Sequence, residues 1–314
     1  MKKILMITMI LLLVAGMSVF AAGKTEQIRL ATGGSTGTYY AYGSALAQIL
    51  TEKTGIPITV QSTGASKANI QLMAGGEVEL AMVQNDVMDY AWKGTDLFTG
   101  QKTQSFNAMA ALYAEVCQIV ANPSIKSIAD LKGKNVSVGD AGSGTEFNAR
   151  QILEAYGISF NDINKQNLGF GPSADALKDN KIDAFFCVAG APTLAIVDLA
   201  TTRDIVILEM DEAHATQLAR NYPFYTLFPI PAGSYRGQTK VIRTPAVKAT
   251  FIVSPNLSEL TVYNLTKALF QNKAQIITAH AKGNELSTSY AVEGISVPFH
   301  PGAVKYFKEV GAMK

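Results

Sequence analysis

The sequence predicts an α/β fold of two lobes that are joined by two hinge strands. Strand-like apolar segments and helix-like segments alternate along the chain, which is typical of α/β proteins with mainly parallel strands. The chain has 314 residues, which is more than one compact core usually holds, so two lobes are expected. Two turns rich in Gly, Ser and Thr, Gly33–Thr38 and Gly139–Thr145, each connect a strand to a helix, and they fall in different predicted lobes.

The first segment predicts a cleavable signal peptide over residues 1–21. Lys2 and Lys3 precede an apolar stretch, and Val19-Phe20-Ala21 forms a small-residue cleavage site. The uncharged stretch over residues 4–20 is short for a membrane span, which needs about 20 apolar residues. We therefore expect a soluble periplasmic protein, and an uncleaved membrane anchor is the alternative.

The net charge gives no reason to expect a polyanionic partner. The whole chain has 27 basic and 25 acidic residues, and removal of the signal peptide takes away two lysines, which leaves 25 of each. The scattered charges of a neutral chain do not attract nucleic acid or an anionic membrane. We expect neither partner.

The strand candidates are short apolar segments bounded by turn residues. They are Gln27–Thr32, Ile58–Gln61, Leu80–Gln84, Ala108–Leu112, Val116–Ala121, Val136–Gly139, Asn167–Phe170, Ile182–Val188, Ile205–Glu209 and Val247–Val253. The helix candidates between them carry apolar residues at helical spacing, as Tyr42, Leu46 and Ile49 do in the first helix. They are Tyr40–Glu52, Lys67–Ala74, Asp86–Trp92, Thr145–Tyr156, Ala174–Asn180, Thr193–Leu199 and Ser258–Gln271.

Two crossings between the lobes are predicted, near Tyr113–Cys117 and Thr244–Val253, and together they make a hinge. Lobe 1 then comprises residues 22–115 and 245–314, and lobe 2 comprises residues 116–244. Cys117 and Cys187 lie in apolar strand-like segments, at a spacing that fits neither a metal site nor a redox pair. We expect two buried free thiols, and a disulfide, which export makes possible, is the alternative.

Five loops at the carboxyl ends of predicted strands are rich in small polar residues. Such a loop exposes backbone N–H groups beside the positive end of the next helix dipole, and this arrangement binds an anion. Ligands of open α/β sheets bind at that edge, whereas for one loop alone a helix cap without a ligand is the alternative. The candidate ligand-binding residues of these loops, of one strand and of the hinge are Gly34, Ser35, Thr36, Thr38, Tyr39, Ser62, Gly64, Ala65, Ser66, Lys67, Gln84, Asn85, Asp86, Glu115, Ser143, Gly144, Thr145, Phe186, Gly190 and Pro192.

The charges of these loops suggest a ligand class. The five loops contain no arginine, and Lys67 is their one cation. Helix N-termini and neutral donors hold one carboxylate, and Lys67 would hold a second, so we favour a ligand with two carboxylates and four or five carbons. A ligand with an α-ammonium group would instead need Asp86 or Glu115 as its partner.

An enzymatic function is not favoured. The pattern Gly33-x-Ser35-x-Gly37 matches the nucleophile elbow of α/β-hydrolases, but it follows the first strand, so no upstream loop supplies a second oxyanion donor. His300 stands beside a proline turn, where a helix cap is the ordinary interpretation. No phosphate-loop lysine motif, zinc-binding motif or dinucleotide fingerprint is present in the sequence. We expect a protein that is not an enzyme and that has no cofactor or metal.

Eight segments, taken in this order and spacing, resemble the TAXI-type receptors of tripartite ATP-independent periplasmic (TRAP) transporters over nearly the whole mature chain. They are Ala31–Tyr40, Ser62–Ser66, Gln84–Asp86, Asp130–Lys134, Val138–Thr145, Ile182–Phe186, Ile230–Tyr235 and His300–Tyr306. The resemblance implies a type II-like periplasmic-binding-protein fold with a small carboxylate, such as glutamate or 2-oxoglutarate, in the cleft between the lobes. It also implies sodium-driven membrane permease subunits, separate or fused, as the partner.

Three functional hypotheses follow from the sequence. The first is a monomeric receptor of a TRAP-type secondary transporter, and the second is a receptor of the same fold that serves an ATP-driven importer for a small anion. The third is a secreted hydrolase that uses Ser35.

Overall fold

The computed structural model describes residues 27–314, and their strands form one mixed ten-stranded sheet. The strands are β1 (Ile28–Ala31), β2 (Ile58–Gln61), β3 (Leu80–Gln84), β4 (Asn107–Ala121), β5 (Asn135–Ser137), β6 (Asn164–Gln166), β7 (Ala184–Ala189), β8 (Val206–Leu208), β9 (Thr226–Ile230) and β10 (Ile242–Val253). The strand order is β2-β1-β3-β10-β4-β7-β5-β6, with β8 beside β4 and β9 beside β10.

Helices cover both faces of this sheet. The α-helices are α1 (Thr38–Thr54), α2 (Ser66–Ala74), α3 (Asn85–Lys93), α4 (Gly144–Ala155), α5 (Phe170–Lys178), α6 (Leu194–Thr202), α7 (Glu212–Asn221), α8 (Glu259–Gln271), α9 (Lys273–Ala279), α10 (Thr288–Val292) and α11 (Pro301–Glu309). Short 3-10 helices occupy Asp96–Phe98, Ile128–Leu131, Phe160–Asp162 and Ala281–Glu285.

The long antiparallel strands β4 and β10 run through the whole sheet and change neighbours midway. From Ala249 to Val253, β10 pairs with β3, whereas its earlier part pairs with β9. Strand β4 pairs with β7 only from Val116 onward. We call the part with β1–β3 the first half and the part with β5–β9 the second half. The two long strands connect the halves near Glu115 of β4 and Val247 of β10, which are paired with each other in the sheet.

Each half has its own apolar packing on both faces of the sheet. In the first half, Leu46 and Phe307 pack on one face and Val87 packs on the other. In the second half, Ile152 and Leu177 lie in separate clusters on opposite faces. Because each half buries its own core, the architecture is that of two α/β lobes. The predicted lobe limits, residues 22–115 with 245–314 and residues 116–244, stay a prediction.

Three predicted strands differ from the structure. The segments predicted separately at Ala108–Leu112 and Val116–Ala121 form one continuous strand, because Tyr113–Glu115 also pairs with β10. The predicted strand Asn167–Phe170 is wrong, since the strand lies earlier in the chain and α5 begins at Phe170. Strand β9 was not predicted because it contains Pro229, and it pairs on one side only, where a proline is tolerated.

The thiol prediction is confirmed, since Cys117 and Cys187 are buried and free. The predicted signal peptide over residues 1–21 lies outside the described residues. Among residues 27–314, no helix combines the length and the apolarity that crossing a membrane requires.

Candidate binding site between the two halves

A small cavity lies between the two halves at the carboxyl ends of the strands. The volume inside it that the centres of water molecules can occupy is about 40 Å³. Its lining comes from both halves and contains the acids Glu115 and Asp140 but no lysine or arginine. The lining residues are Gly33, Gly34, Gly37, Thr38, Tyr39, Ala65, Ser66, Gln84, Glu115, Asp140, Ser143, Gly144, Thr145, Phe170, Val188 and Ala189.

The N-terminus of α1 lies in the wall of this cavity. The turn that precedes the helix is closed by a 2.9 Å hydrogen bond from Gly37 N–H to the Gly34 carbonyl. Gly37 is the N-cap and supplies no side-chain cap, and the first turn contains no acidic residue. The N–H groups of Thr38 and Tyr39 therefore have no acceptor within the helix, and they remain available to a ligand.

The N-terminus of α2 reaches the cavity through a strained residue. Ala65, the N-cap of α2, has φ +64° and ψ −145°, a region that residues other than glycine rarely adopt. The Thr63 hydroxyl accepts a hydrogen bond of 3.1 Å from Ala65 N–H, and Asn69 donates to the Thr32 and Met82 carbonyls. These bonds hold the strained turn in place, and strain of this kind is concentrated at functional sites.

The N-terminus of α4 approaches the cavity from the second half. The Ser143 hydroxyl caps the helix by accepting from Glu146 N–H at 3.2 Å. The Glu146 carboxylate in turn accepts from Gly142 N–H at 2.7 Å. These bonds leave the N–H groups of Gly144 and Thr145 without an acceptor inside the helix. Three helix N-termini therefore converge on one cavity, and their dipoles favour an anion there.

Hydrogen-bond acceptors lie among the same lining residues. The Tyr39 hydroxyl donates to the Glu115 carboxyl group at 2.6 Å, and burial raises the pKa of Glu115 well above its usual range. Gln84 is 2% exposed, and its Oε1 has no hydrogen-bond partner within residues 27–314. A buried acceptor without a donor is costly, so a ligand donor group at this position would be stabilising.

Contacts across the cavity show that the cleft is closed. The Thr38 hydroxyl in the first half donates to the Gly190 carbonyl in the second half at 3.0 Å. Gly144 lies against Gln84 so closely that a Cβ atom at position 144 would stand 1.9 Å from Gln84 Oε1. Glycine is therefore the residue that lets α4 approach the first half to this distance.

The predicted site residues divide into two groups. Those that line the cavity are Gly34, Thr38, Tyr39, Ala65, Ser66, Gln84, Glu115, Ser143, Gly144 and Thr145. Those that lie outside the lining are Ser35, Thr36, Ser62, Gly64, Lys67, Asn85, Asp86, Phe186, Gly190 and Pro192. Ligand binding by the first group stays a prediction.

Several of the residues outside the lining make hydrogen bonds or packing contacts elsewhere in the structure. The Ser62 hydroxyl donates to the Gly33 carbonyl, and Asn85 Oδ1 accepts from Lys248 N–H of the hinge strand β10. The Lys67 ammonium lies 5.5 Å from the centroid of the Phe98 ring and not in the cavity wall. Phe186 is fully buried in the core of the second half, and only the last two residues of β7 reach the cavity.

Six lining residues were not among the predicted site residues. Gly33 and Gly37 belong to the glycine-rich turn that the sequence had already indicated, and Val188 and Ala189 end a strand at the expected edge. Asp140 belongs to the second such turn, Gly139–Thr145, whereas no sequence signal pointed to Phe170, which was assigned to a strand. The six are Gly33, Gly37, Asp140, Phe170, Val188 and Ala189.

The structure does not give Ser35 the partners of a hydrolytic nucleophile. Ser35 is exposed and lies outside the cavity lining. The ring nitrogens of the three histidines of the chain bond elsewhere. His214 pairs with Asp211, His280 accepts from Lys282 N–H, and His300 caps α11 by accepting from Gly302 N–H. The cap predicted for His300 is thus confirmed.

Comparisons with known proteins agree on the fold. A sequence model of the NMT1-like family matches residues 30–311. PhnD1 of Prochlorococcus marinus, solved in complex with methylphosphonate, has a TM-score of 0.55 at 10% identity, over 92% of this chain and 100% of that chain. A putative L-cystine ABC transporter of Listeria monocytogenes has a TM-score of 0.52 at 16% identity, over 85% and 98%.

A third solved structure, described as a periplasmic transporter, has a TM-score of 0.54 at 14% identity, over 92% of this chain and 94% of that chain. At these identities the likeness is one of fold. The chain therefore has the α/β fold of periplasmic binding proteins, as its sequence predicted, and the mixed sheet with its two crossing strands is that of the type II-like arrangement.

Proposed function

This chain belongs to the NMT1-like family, and we propose that it is an extracytoplasmic receptor that captures a small solute and delivers it to a membrane transporter. The observation that carries the proposal is the convergence of three helix N-termini on one enclosed cavity between two lobes. Backbone donors and helix dipoles bind an anionic group without a basic side chain. No arrangement for covalent catalysis accompanies them at Ser35.

We propose an α-amino acid as the solute class. The helix N-termini would bind its carboxylate, and the free Gln84 Oε1 and the Glu115 carboxyl group would accept from its ammonium group. This replaces the two-carboxylate ligand favoured from the sequence, because Lys67, which was to bind the second carboxylate, lies outside the cavity wall. Glutamate has the α-ammonium and α-carboxylate groups of this class, but the wall offers no cation to its second carboxylate, so a neutral amino acid such as alanine is the favoured member. The keto acid 2-oxoglutarate lies outside the class.

The size of the cavity favours a compact solute. The volume of about 40 Å³ that the centres of water molecules can occupy corresponds to roughly three water molecules. Apolar side chains of Phe170 and Val188 form part of the wall, so they would contact the aliphatic portion of such a solute. The same pairing of an apolar wall with a few polar groups is usual for small-molecule sites.

An ATP-driven importer is the first candidate for the membrane partner. The fold neighbour of Listeria monocytogenes is described as an ABC transporter for L-cystine, an amino acid, which supports this choice. A TRAP-type permease is the second candidate, supported by the resemblance of the eight sequence segments to TAXI-type receptors. A neighbouring gene for an ATPase would favour the first, and one for a large permease alone would favour the second.

Calorimetry with matched ligand pairs tests the solute class. We expect L-glutamate or L-alanine to bind at least tenfold more tightly than 2-oxoglutarate or pyruvate, which differ from them by a keto group in place of the ammonium group. Native mass spectrometry of protein taken from the periplasm would identify the solute and show whether residues 1–21 are removed. Tighter binding of 2-oxoglutarate or succinate than of every amino acid would contradict the proposal.

Replacing Thr145 by alanine is expected to weaken binding of the best amino acid of this panel. Thr145 lines the cavity and is 5% exposed. Loss of a hydroxyl bond to a charged group costs about 1.5–3 kcal/mol, which is roughly a tenfold to hundredfold loss of affinity. Ser35→Ala is the control, since that hydroxyl lies outside the lining, and we expect unchanged binding. A change below threefold for Thr145→Ala would place the carboxylate elsewhere.

A further inference from the structure

A series of buried polar side chains connects the two halves beside the cavity. Asp86 on α3 accepts a hydrogen bond of 2.9 Å from Asn148 Nδ2 on α4. The same Nδ2 donates to the Tyr225 hydroxyl at 2.6 Å, and that hydroxyl donates to Gln151 Oε1 at 2.7 Å. Gln151 Nε2 donates to the Tyr90 hydroxyl at 3.1 Å. Asp86 and Tyr90 belong to the first half and the others to the second, so the series crosses the interface between the two halves.

The closed cleft removes Asp86 from water completely. Asp86 is 0% exposed, and its carboxyl group accepts from Asn148 Nδ2 across the interface and from Val87 N–H on its own helix. Asn148 is also 0% exposed, and its Oδ1 has no hydrogen-bond partner within the described part of the chain. One carboxylate and one unused amide oxygen are therefore buried side by side in one interface.

This pair accommodates Asp86 in either protonation state. When Asp86 is ionised, the Asn148 amide donates to it, as in the structure. When Asp86 is protonated, rotation of the Asn148 amide by half a turn places Oδ1 where Nδ2 now lies, and Oδ1 accepts from the carboxylic acid. Nitrogen and oxygen of an amide have nearly the same size, so the rotation requires no repacking. It also removes the donor to the Tyr225 hydroxyl, which then turns its proton from Gln151 Oε1 to Asn148 Oδ1.

Among residues 27–314, the hydrogen bonds to the Asp86 carboxyl group come from Asn148 Nδ2 and Val87 N–H and not from a cation. Arg150 of α4 pairs instead with Asp96. Burial raises the pKa of Asp86 from 3.8 to about 6, and the hydrogen bond from Asn148 offsets part of this effect. The titratable groups that face Asp86 from the surrounding elements are Tyr90 of α3, Asp96 of the 3-10 helix, Glu115 and Cys117 of β4, and Tyr225 before β9.

We propose that Asp86 takes up a proton when the cleft closes, so that the Asp86–Asn148 contact is a pH-sensitive latch that strengthens closure as the pH falls. The proposal rests on the proposed receptor function only in assuming that the cleft opens and closes. It assigns Asp86 a role in positioning the two halves rather than in contacting the solute, because Asp86 lies outside the cavity lining.

The direction of the effect follows from the two environments of Asp86. In the open cleft the carboxyl group returns to water, and its pKa approaches 3.8. An acid with a higher pKa in the closed form binds its proton more tightly there, so closure gains stability below about pH 6 and loses this gain as the pH rises through 6. Between pH 7.5 and pH 5.0, the closure equilibrium constant is expected to rise roughly tenfold.

Distances between spin labels on the two halves test the latch without any ligand. Gln71 on α2 and Lys178 on α5 are exposed, and they can be replaced by cysteine in the mature chain. The native Cys117 and Cys187 are buried and will not take the label. We expect two distance populations, with the shorter one rising as the pH falls from 7.5 to 5.0. Asp86→Asn, which stays neutral, is expected to show the same populations at both values.

Asp89→Asn is the matched control, because Asp89 is a buried acid of the same helix that pairs with Lys93 within the first half. It is expected to keep the full pH response. A wild-type distribution that does not change with pH would overturn the latch, as would a response that survives Asp86→Asn and disappears in Glu115→Gln. These results leave the receptor proposal to its own test, the calorimetric panel.

A second variant keeps the proposal testable if Asp86→Asn does not fold. Asn148→Asp places two carboxyl groups at the contact, and two carboxylates that share a site raise one another's pKa. We expect the pH response to move above pH 6. A response at unchanged pH would overturn the latch.

Discussion

Gly144→Ala is expected to hold the cleft open and to weaken solute binding roughly tenfold to hundredfold. A Cβ atom at position 144 would stand 1.9 Å from Gln84 Oε1, which is far inside van der Waals contact. Gln84 is 2% exposed and borders the cavity, so its carboxamide can withdraw from the new methyl group by turning into the space that the solute needs. The added methyl group meets the opposite half only in the closed state, so the cost falls on closure rather than on folding.

Spin-label distances between positions 71 and 178 report closure, and thermal unfolding reports stability. Together they distinguish a cost to closure from a cost to folding. We expect the longer distance to dominate in Gly144→Ala while the melting temperature stays near that of the wild type. Gly34→Ala is the matched control, since Gly34 also lines the cavity but a Cβ atom there would meet nothing within 4 Å. It is expected to close normally.

The double variant Gly144→Ala with Gln84→Ala tests whether the clash with the Gln84 side chain is what holds the cleft open. Removal of the Gln84 carboxamide opens the space that the new methyl group needs, so the short distance should return. Solute affinity should not return with it, because Gln84 Oε1 is one of the proposed acceptors. A double variant that stays open would show that the clash with Gln84 is not what prevents closure.

The alternation of strands and helices was sufficient to predict the α/β class, because local apolar patterns reflect which face of each element is buried. The expectation of mainly parallel strands was wrong, since β4 and β10 pair antiparallel with all of their neighbouring strands. The two glycine-rich turns, Gly33–Thr38 and Gly139–Thr145, likewise indicated the N-termini of α1 and α4 that line the cavity. In both turns the signal is local, since a strand, a glycine turn and a helix follow one another directly in the chain.

The parts of the site that depend on packing between the halves were not predictable. Lys67 was expected in the cavity, but its ammonium lies 5.5 Å from the centroid of the Phe98 ring, and a Cβ atom at position 142 of the second half would stand 3.6 Å from its Cδ. Only the packing of the two halves determines that position. The free oxygen of Gln84 exists because Gly144, 60 positions later in the chain, packs against it. The burial of Asp86 depends in the same way on Asn148.

Glu115→Gln is expected to produce the largest loss of amino-acid binding. In the proposed complex, the Glu115 carboxylate accepts from the solute ammonium group, while Tyr39 donates to its other side. Breaking a buried ion pair by neutralising one partner costs about 3–5 kcal/mol, which is more than a hundredfold in affinity. Glutamine keeps the size of the side chain and an acceptor for Tyr39, so the cavity keeps its shape.

The same variant distinguishes the two solute classes. Burial raises the pKa of Glu115 well above its usual range and so favours the neutral acid in the empty site, whereas a cation brought by the solute favours the ionised form. A dicarboxylate would bind the neutral acid, which glutamine resembles, and Glu115→Gln would then keep its affinity. Calorimetry of Glu115→Gln with L-glutamate and with 2-oxoglutarate is the measurement. A loss for L-glutamate alone supports the amino-acid receptor, and unchanged L-glutamate binding contradicts it.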